Sequence, residues 1–299
     1  MNYKPTLTLL CGLPASGKST YAQSRANENT IVLSSDKLRL ELLGDECCQT
    51  NNELVFNTLH KRAKEYLLNG KNAIIDACNI NRKDRRRTLV PFQGMDIYRE
   101  CLVVPTLPKI CLKNDMARSR SVGKEVINKF LYKFESPMCF EGFDGCGIAY
   151  NDCNRNSEFS VVDELENATD FNQHNPHHTL TLGEHCNYCG FLVADNVDLT
   201  LIASLHDIGK LYTQTFDENG VAHYFSHENV GAYYCLCSKE FENDYLTWKD
   251  IFYINYHMLP FSLNAQKTRD KYRELFGDEL FDNLMILHEC DKIASGTYE

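Results

Sequence analysis

At 299 residues, with 43% hydrophobic and 24% charged side chains, the chain has the balance of a folded globular protein and the length for two ordinary domains. No apolar run reaches about 18 residues and Met1–Pro5 carries no export pattern, so neither a transmembrane helix nor a secretory leader is expected. A net charge of −10 argues against strong nonspecific affinity for long duplex nucleic acid, and the 14 scattered cysteines read as reduced thiols of a cytoplasmic protein.

The first predicted element is a buried strand, Thr6–Cys11, which runs into Gly12-Leu13-Pro14-Ala15-Ser16-Gly17-Lys18-Ser19-Thr20. This stretch fits G-x-x-x-x-G-K-[ST], between a strand and the start of a helix at Ser19–Arg25. Gly12 and Gly17 free the backbone to turn its N–H groups onto phosphate. Lys18 supplies a point charge to the β/γ-phosphates and Ser19 a hydroxyl to Mg²⁺. Residues Gly12, Pro14, Ala15, Ser16, Gly17, Lys18, Ser19 and Thr20 are therefore the expected ATP-binding set.

A second strand, Thr30–Ser34, ends in Ser35-Asp36. Val55, Leu59, Ala63 and Tyr66/Leu67 recur at helical spacing over 52–69, and Asn69-Gly70 stops that helix. Ala73–Ala77 and Tyr98–Val104 read as further buried strands, a helix begins near Leu107, and Gly147–Tyr150 is a short last strand. Short apolar strands alternating with helices predict an α/β domain: a parallel sheet with helices on both faces and ligands at the carboxyl ends of the strands. Asp36 and Asp76 fall at that edge. Asp36 could also be the cap of a helix over Lys37–Leu43. The basic runs Arg82–Arg87 and Arg118-Ser119-Arg120 with Lys124 are each either a solvated face or a path to the site.

Gly12–Thr20, Ser34–Arg39, Ile75–Asn79, Arg118/Arg120, Phe134–Pro137 and Glu141–Asp144 together resemble the polynucleotide kinase group of P-loop phosphotransferases, over nearly all of 1–150. The resemblance implies that Asp36 takes the proton from a 5′-hydroxyl and that Arg39 contacts the adjacent nucleic-acid phosphate. Arg118 and Arg120 would belong to a lid over the ATP phosphates, although Val122–Val126 departs from common lids. Arg82 and Arg85 join Arg39 as substrate-binding candidates. Asp76 either orients the metal shell or braces the loop; the first is preferred.

Residues 151–176 are polar, acidic and Asn-rich, with one strand-like piece at Phe159–Val162, and read as a linker. Beyond it Leu199, Ile202, Ala203 and Leu205 make an apolar helical face ending in His206-Asp207-Ile208-Gly209-Lys210. Thr213–His223 predicts a hairpin turning at Asn219-Gly220, and the remainder reads as helices. The Cys186/Cys189 pair stands without a second pair, which argues against a zinc ribbon. An adjacent His-Asp pair on a mainly apolar helix is costly to bury unless ligated or hydrogen-bonded.

The phrase His185 … Leu205–Lys210 … Phe225–Ala232 … Asp291-Lys292 resembles the HD superfamily of metal-dependent phosphohydrolases over about 177–299. That implies an all-α domain in which His185, His206, Asp207 and Asp291 ligate one divalent metal, with His227 and His257 in the right order to hold a second. Lys210 is a candidate phosphate contact. Imidazole with carboxylate suits Mn²⁺, Ni²⁺, Co²⁺ or Fe²⁺. His177, His178, His223 and His288 are read as nonfunctional.

The combined expectation is a bifunctional end-healing enzyme: an ATP- and Mg²⁺-dependent 5′-hydroxyl polynucleotide kinase and a 2′,3′-cyclic or 3′-phosphate hydrolase. It would act in nucleic-acid repair on RNA ends, ahead of DNA. No K-x-D-G motif occurs, so sealing would fall to a separate ligase; no membrane partner is expected. The alternatives are a nucleoside or nucleotide kinase joined to an HD nucleotide phosphohydrolase, and a nucleotide-sensing or RNA-binding regulator.

Overall fold

A computed structural model describes residues 4–150, 158–176, 179–193 and 196–295. The chain divides into two compact units, Met1–Phe130 with Pro137–Arg155, and Leu131–Ser136 with Asn156–Glu299. Among the described residues no helix is long and apolar enough to cross a membrane, and the cysteines are free thiols.

In the first unit the elements run β1 (Thr6–Cys11), α1 (Lys18–Arg25), β2 (Thr30–Ser34), α2 (Ser35–Leu43), α3 (Asn52–Leu68), β3 (Asn72–Asp76), α4 (Arg82–Leu89), β4 (Tyr98–Val103), α5 (Pro108–Met116), α6 (Lys124–Leu131) and β5 (Gly145–Ile148). The strands form one parallel sheet in the order β2-β3-β1-β4-β5. The central β1 is buried from Leu7 to Cys11 and apolar there apart from Thr8, as a strand covered on both faces must be. α3 starts where the Asn51 side chain accepts from the Leu54 N–H, and it buries Val55, Leu59, Ala63 and Leu67, one residue per turn. Gly70, at φ 74°, then turns the chain into β3. β3 starts and ends one residue before its predicted span, and β5 two residues before. The register pairs Ser34 with Asp76, bringing the ends of β2 and β3 level beside the phosphate loop.

Arg85 departs from expectation. It does not line a surface path: it is fully buried, its guanidinium forked onto the Glu141 carboxylate at 2.8 and 2.7 Å with a further bond to the Asn79 carbonyl at 3.1 Å. Burial works against its charge, and Glu141 more than offsets this, raising its pKa. Arg85 therefore belongs to the core and cannot meet substrate.

In the second unit the elements are α7 (Glu164–Ala168), α8 (Leu182–Leu192), α9 (Val197–Leu205), α10 (Lys210–Thr213), β6 (Thr215–Phe216), β7 (Ala222–His223), α11 (His227–Leu236), α12 (Lys239–Glu242), α13 (Trp248–Tyr256), α14 (Gln266–Phe276) and α15 (Asp278–Ala294). α8 packs on α9 and α15, and α11 on α13. The predicted hairpin is present and turns through Gly220 at φ 75°. Phe159–Val162 is not a strand. Its backbone turns because the buried Glu240 carboxylate accepts from Ser160 Oγ at 2.6 Å and the Val161 N–H at 3.0 Å. From residue 158 the expected linker is folded into this unit: Ala168 joins Leu182 and Cys186 in a buried cluster. Residues 151–157 of that linker lie outside the described residues, as do His177 and His178. Residues 131–136, expected in the first domain, group with the helical unit.

Replacing one member of a buried ion pair strands the other charge, at a cost of about 3–5 kcal/mol. Arg85→Leu should destabilise the first unit by that much in scanning calorimetry, and Arg85→Met/Glu141→Leu should recover most of it. A loss under about 1 kcal/mol for the single variant would mean that water reaches Glu141.

Candidate active sites

The phosphate loop is built by backbone conformations its residue types permit. Gly12 and Gly17 sit at φ 153° and 92°, and Ala15 at 62°. A Cβ on Gly12 would lie 2.9 Å from the Val104 carbonyl oxygen, so only glycine fits there. Thr106 Oγ1 holds the Ser16 carbonyl at 2.8 Å and Asn114 Nδ2 that of Ala15 at 3.1 Å, fixing the loop from outside. Lys18 Nζ donates back to the carbonyls of Gly12 and Leu13, at 3.0 and 2.6 Å. Pro14 lies within the loop, while Ser19 and Thr20 are exposed on the first turn of α1. Ser19 Oγ donates to Asp76 Oδ2 at 2.8 Å, bringing together a hydroxyl and a carboxylate suited to Mg²⁺.

Asp36 lies in the first turn of α2 behind Ser34, which is the N-cap residue, so the alternative of Asp36 as cap does not hold. Its carboxylate meets two cations: Arg39 at 2.7 Å and Arg120 at 3.9 Å. Arg39 is buried and aimed by Asn52 Oδ1, at 3.4 Å from Nε and 3.1 Å from Nη2, with the Phe56 ring 5.9 Å away. Arg120 is shared with Glu46 at 3.0 Å. The buried Asp115 clasps the intervening loop, accepting from Ser121 Oγ at 2.6 Å and from the backbone of Val122 and Gly123. Burial raises the Asp115 carboxyl, but these hydrogen bonds outweigh it and lower its pKa. Arg118 is exposed, and Arg82 lies over the Phe140 ring at 5.4 Å. Of the substrate candidates, Arg39 is brought to Asp36, whereas Arg85 is withdrawn from it. Asn52, Glu46 and Asp115 escaped the sequence reading; only the position of Asn52 at the head of a helix could have pointed to it.

In the second unit two clusters meet at one carboxylate. His185, His206, Asp207 and Asp291 form the first, and Asp207, His227 and His257 the second; within each, one potential ligand atom per residue lies within 4.8 Å of the others. Asp207 Oδ2 faces His185 at 3.3 Å and His206 at 3.4 Å, while Oδ1 faces His227 at 2.9 Å and His257 at 3.5 Å. Asp291 Oδ1 closes the first cluster, 3.2 Å from His185 and 3.6 Å from His206. Every member is buried.

The tautomers follow from the backbone. Nδ1 of His206, His227 and His257 lies 2.7, 2.8 and 2.8 Å from the carbonyls of Ala203, Tyr224 and Ile254, so Nδ1 must donate and the Nε2 lone pair of each neutral ring faces the cluster. The Nε2 atoms of His227 and His257 are 3.1 Å apart, a distance at which two lone pairs repel unless a proton or cation lies between them. Burial raises the Asp207 carboxyl, but Lys210 and His206 hold it well below the usual range. Burial lowers His206, and Asp207 more than reverses this. His257, with less compensation, is lowered by burial. Imidazole nitrogens with oriented tautomers around ionised carboxylates fit divalent transition metals.

Lys210 Nζ is engaged by Asp207 Oδ2 at 2.7 Å and Gln173 Oε1 at 3.0 Å, beneath the Tyr224 ring. Gln173 and Tyr224 were not flagged by any motif. His223 pairs with Asp217 at 3.5 Å and His288 packs edge-on to Phe261; neither enters a cluster.

Residues 7–137 match the family model of the AAA domain. A curated Arabidopsis thaliana protein, transcription factor bHLH140, is 24% identical over 169 residues, which are 54% of this chain and 18% of that protein. Chains from structures of the Pnkp1/Rnl/Hen1 RNA repair complex are 24% and 23% identical, covering 41% and 44% of this chain and 42% and 44% of their own, with TM-scores of 0.36 and 0.40. A gluconokinase from Sinorhizobium meliloti 1021 is 12% identical over 51% of this chain and 87% of its own, with a TM-score of 0.37. The chain thus spans about a fifth of the curated relative and under half of the repair-complex chains. The stretch that matches the AAA-domain model thus carries the phosphate loop and most of the parallel sheet of the first unit.

Gly209 sets the spacing of the two clusters. A Cβ there would run into the His227 carbonyl and lie 2.7 Å from the Gly231 nitrogen. Gly209→Ala should therefore push α11 away from the His-Asp pair and lower affinity for Mn²⁺ at the His227/His257 cluster by about tenfold or more. Titration calorimetry with Mn²⁺ would read this; unchanged binding would show that α11 can shift freely.

Proposed function

We propose that the chain is a two-activity nucleic-acid end-healing enzyme: an ATP-dependent 5′-hydroxyl kinase, and a metal-dependent hydrolase of 2′,3′-cyclic or 3′-phosphate ends belonging to the HD type. The observation that carries it is the pairing, on one chain, of a phosphate loop facing an Arg-flanked Asp36 with two His/Asp clusters that share Asp207.

In the kinase reaction the loop backbone and Lys18 bind the ATP phosphates, and Ser19 with Asp76 would hold Mg²⁺, which neutralises charge on the β/γ-phosphates. Asp36 accepts the proton as the hydroxyl oxygen attacks the γ-phosphorus and the bond to ADP breaks. Arg39, fixed by Asn52, binds the phosphate next to that hydroxyl and so orients it. Arg120 reaches the same carboxylate and joins the acceptor side with Arg39, while Arg118 stays with the lid.

In the hydrolase, His185, His206, Asp207 and Asp291 would hold one divalent transition metal, and Asp207, His227 and His257 a second. Such ions, when bound, supply Lewis-acid stabilisation of phosphoryl charge and a nucleophilic water at neutral pH. The carbonyls of Ala203, Tyr224 and Ile254 hold the imidazoles in the ligating tautomer. Lys210 keeps Asp207 ionised and offers a cation toward an anionic substrate.

Asp36→Asn should cut γ-phosphate transfer to 5′-hydroxyl oligonucleotides by about 10²–10⁴ while leaving ATP binding intact. A panel of labelled-ATP assays on 5′-hydroxyl RNA, 5′-hydroxyl DNA, nucleosides and gluconate reads both this loss and the acceptor class. Transfer to nucleosides alone would replace the end-healing reading with the small-molecule one.

His206→Ala should abolish release of phosphate from 3′-phosphate RNA and opening of 2′,3′-cyclic ends, with 5′-kinase rate unchanged. Elemental analysis of protein purified without chelator should give close to two transition metals per chain, falling toward one in His227→Ala or His257→Ala. One metal that neither substitution alters would leave a single-metal centre.

A further inference from the structure

The second unit contains a strap that the chain delivers early. Residues Leu131–Ser136, at the end of the stretch that matches the AAA-domain model, group with the helical unit and not with the sheet. Phe134 and Ser136 are fully buried there, with Phe134 edge-on to Tyr233 of α11 at 5.0 Å.

Two asparagines hold the strap. Asn255, on α13, accepts from the Ser136 N–H at 2.7 Å and donates to the Phe134 carbonyl at 3.3 Å and to Asn229 Oδ1 at 2.8 Å. Asn229, on α11, donates in turn to the Tyr132 carbonyl at 2.8 Å. One orientation of each amide satisfies all four bonds, so the pair is a closed polar clasp between α11, α13 and the strap.

The clasp sits beside the ligands of the second cluster. Asn229 is two residues beyond His227 at the start of α11, and Asn255 two residues before His257 at the end of α13. Ile254, next to Asn255, supplies the carbonyl that orients His257. The first cluster takes His185, His206 and Asp291 from α8, from the end of α9 and from α15, and the clasp's four hydrogen bonds go to none of these.

We propose that Asn229 and Asn255, closed by the 132–136 strap, are positioning residues that set the His227–His257 separation and hence occupancy of the second metal subsite. This rests on the two-site reading above. The strap lies well before the 151–176 segment, so a chain cut at that segment would separate the second subsite from part of its own scaffold.

The test uses the full chain, with Mn²⁺ titrated by calorimetry and metal content measured after purification without chelator. Asn255→Leu removes three bonds of the clasp and should weaken the second equivalent of Mn²⁺ by about 10–100-fold, the range for lost outer hydrogen bonds at a metal site, with the first unchanged. Metal content should fall from two toward one while kinase rate stays at the wild-type value; the first equivalent, bound at wild-type affinity, shows that the helical unit is folded. Asn229→Leu, at a half-buried position, should give the same pattern if Asn255→Leu does not accumulate as folded protein. Asn255→Asp, which keeps the acceptor for Ser136, should fall between. Two equivalents at wild-type affinity in both leucine variants would overturn the proposal alone. Uptake of a single equivalent by the wild-type chain would overturn the two-site reading and this proposal with it.

Discussion

Asp207 divides its carboxylate between two sets of imidazoles, one oxygen to each. This sharing constrains several elements of the helical unit at once. A buried carboxylate is costly unless it is paired; here Lys210 lies at 2.7 Å and the Nε2 atoms of four histidines at 2.9 to 3.5 Å. Those partners come from α8, the end of α9, α10, the start of α11 and the end of α13, so satisfying one charge fixes several elements at once. The requirement explains Gly209. Only a residue without a side chain lets the turn after Asp207 approach the backbone of α11 closely enough for His227 to reach Oδ1.

The first unit solves a different problem, because its ligand-facing edge must expose backbone N–H groups and still be rigid. Rigidity comes from behind. Thr106 and Asn114 hold carbonyls of the phosphate loop, Asn79 bonds the Leu10 carbonyl, and Arg85 ties the Asn79 carbonyl to Glu141. The buried ion pair is weak evidence for stability in its own right, but breaking it would loosen the segment that follows Asp76. At the start of α2, carboxylates and guanidiniums alternate: Glu46, Arg120, Asp36, Arg39. Such an array can receive a hydroxyl at the carboxylate and a phosphate at the arginines without rearranging the backbone.

The local signals were legible in the sequence because their physics is local. The phosphate loop, the strand before it, the Asn69-Gly70 stop, the Asn219-Gly220 hairpin and the periodic face from Leu199 to Leu205 each depend on residues within one or two turns of one another. The grouping of His185, His206, Asp207, His227, His257 and Asp291 was also expected from sequence, though through a resemblance and not through spacing. What brings its members together is the packing of α8, α9, α11, α13 and α15.

Tertiary structure alone decided the rest. The charge run on α4 reads as a solvated face or a path to the site, yet Arg85 turns inward because Glu141, 56 residues later, arrives with a matching buried carboxylate. Phe159–Val162 has the apolar character of a strand, but among the described residues no strand pairs with it, and Glu240 accepts from its backbone instead. Arg120 stands beside Asp36 because Asp115 folds the loop that carries it around its own carboxylate. Residues 132–136 follow directly from α6, yet their partners, Asn229, Tyr233 and Asn255, lie about a hundred residues further on. Sequence proximity determined what each segment could become; long-range pairing of buried polar groups determined where it went.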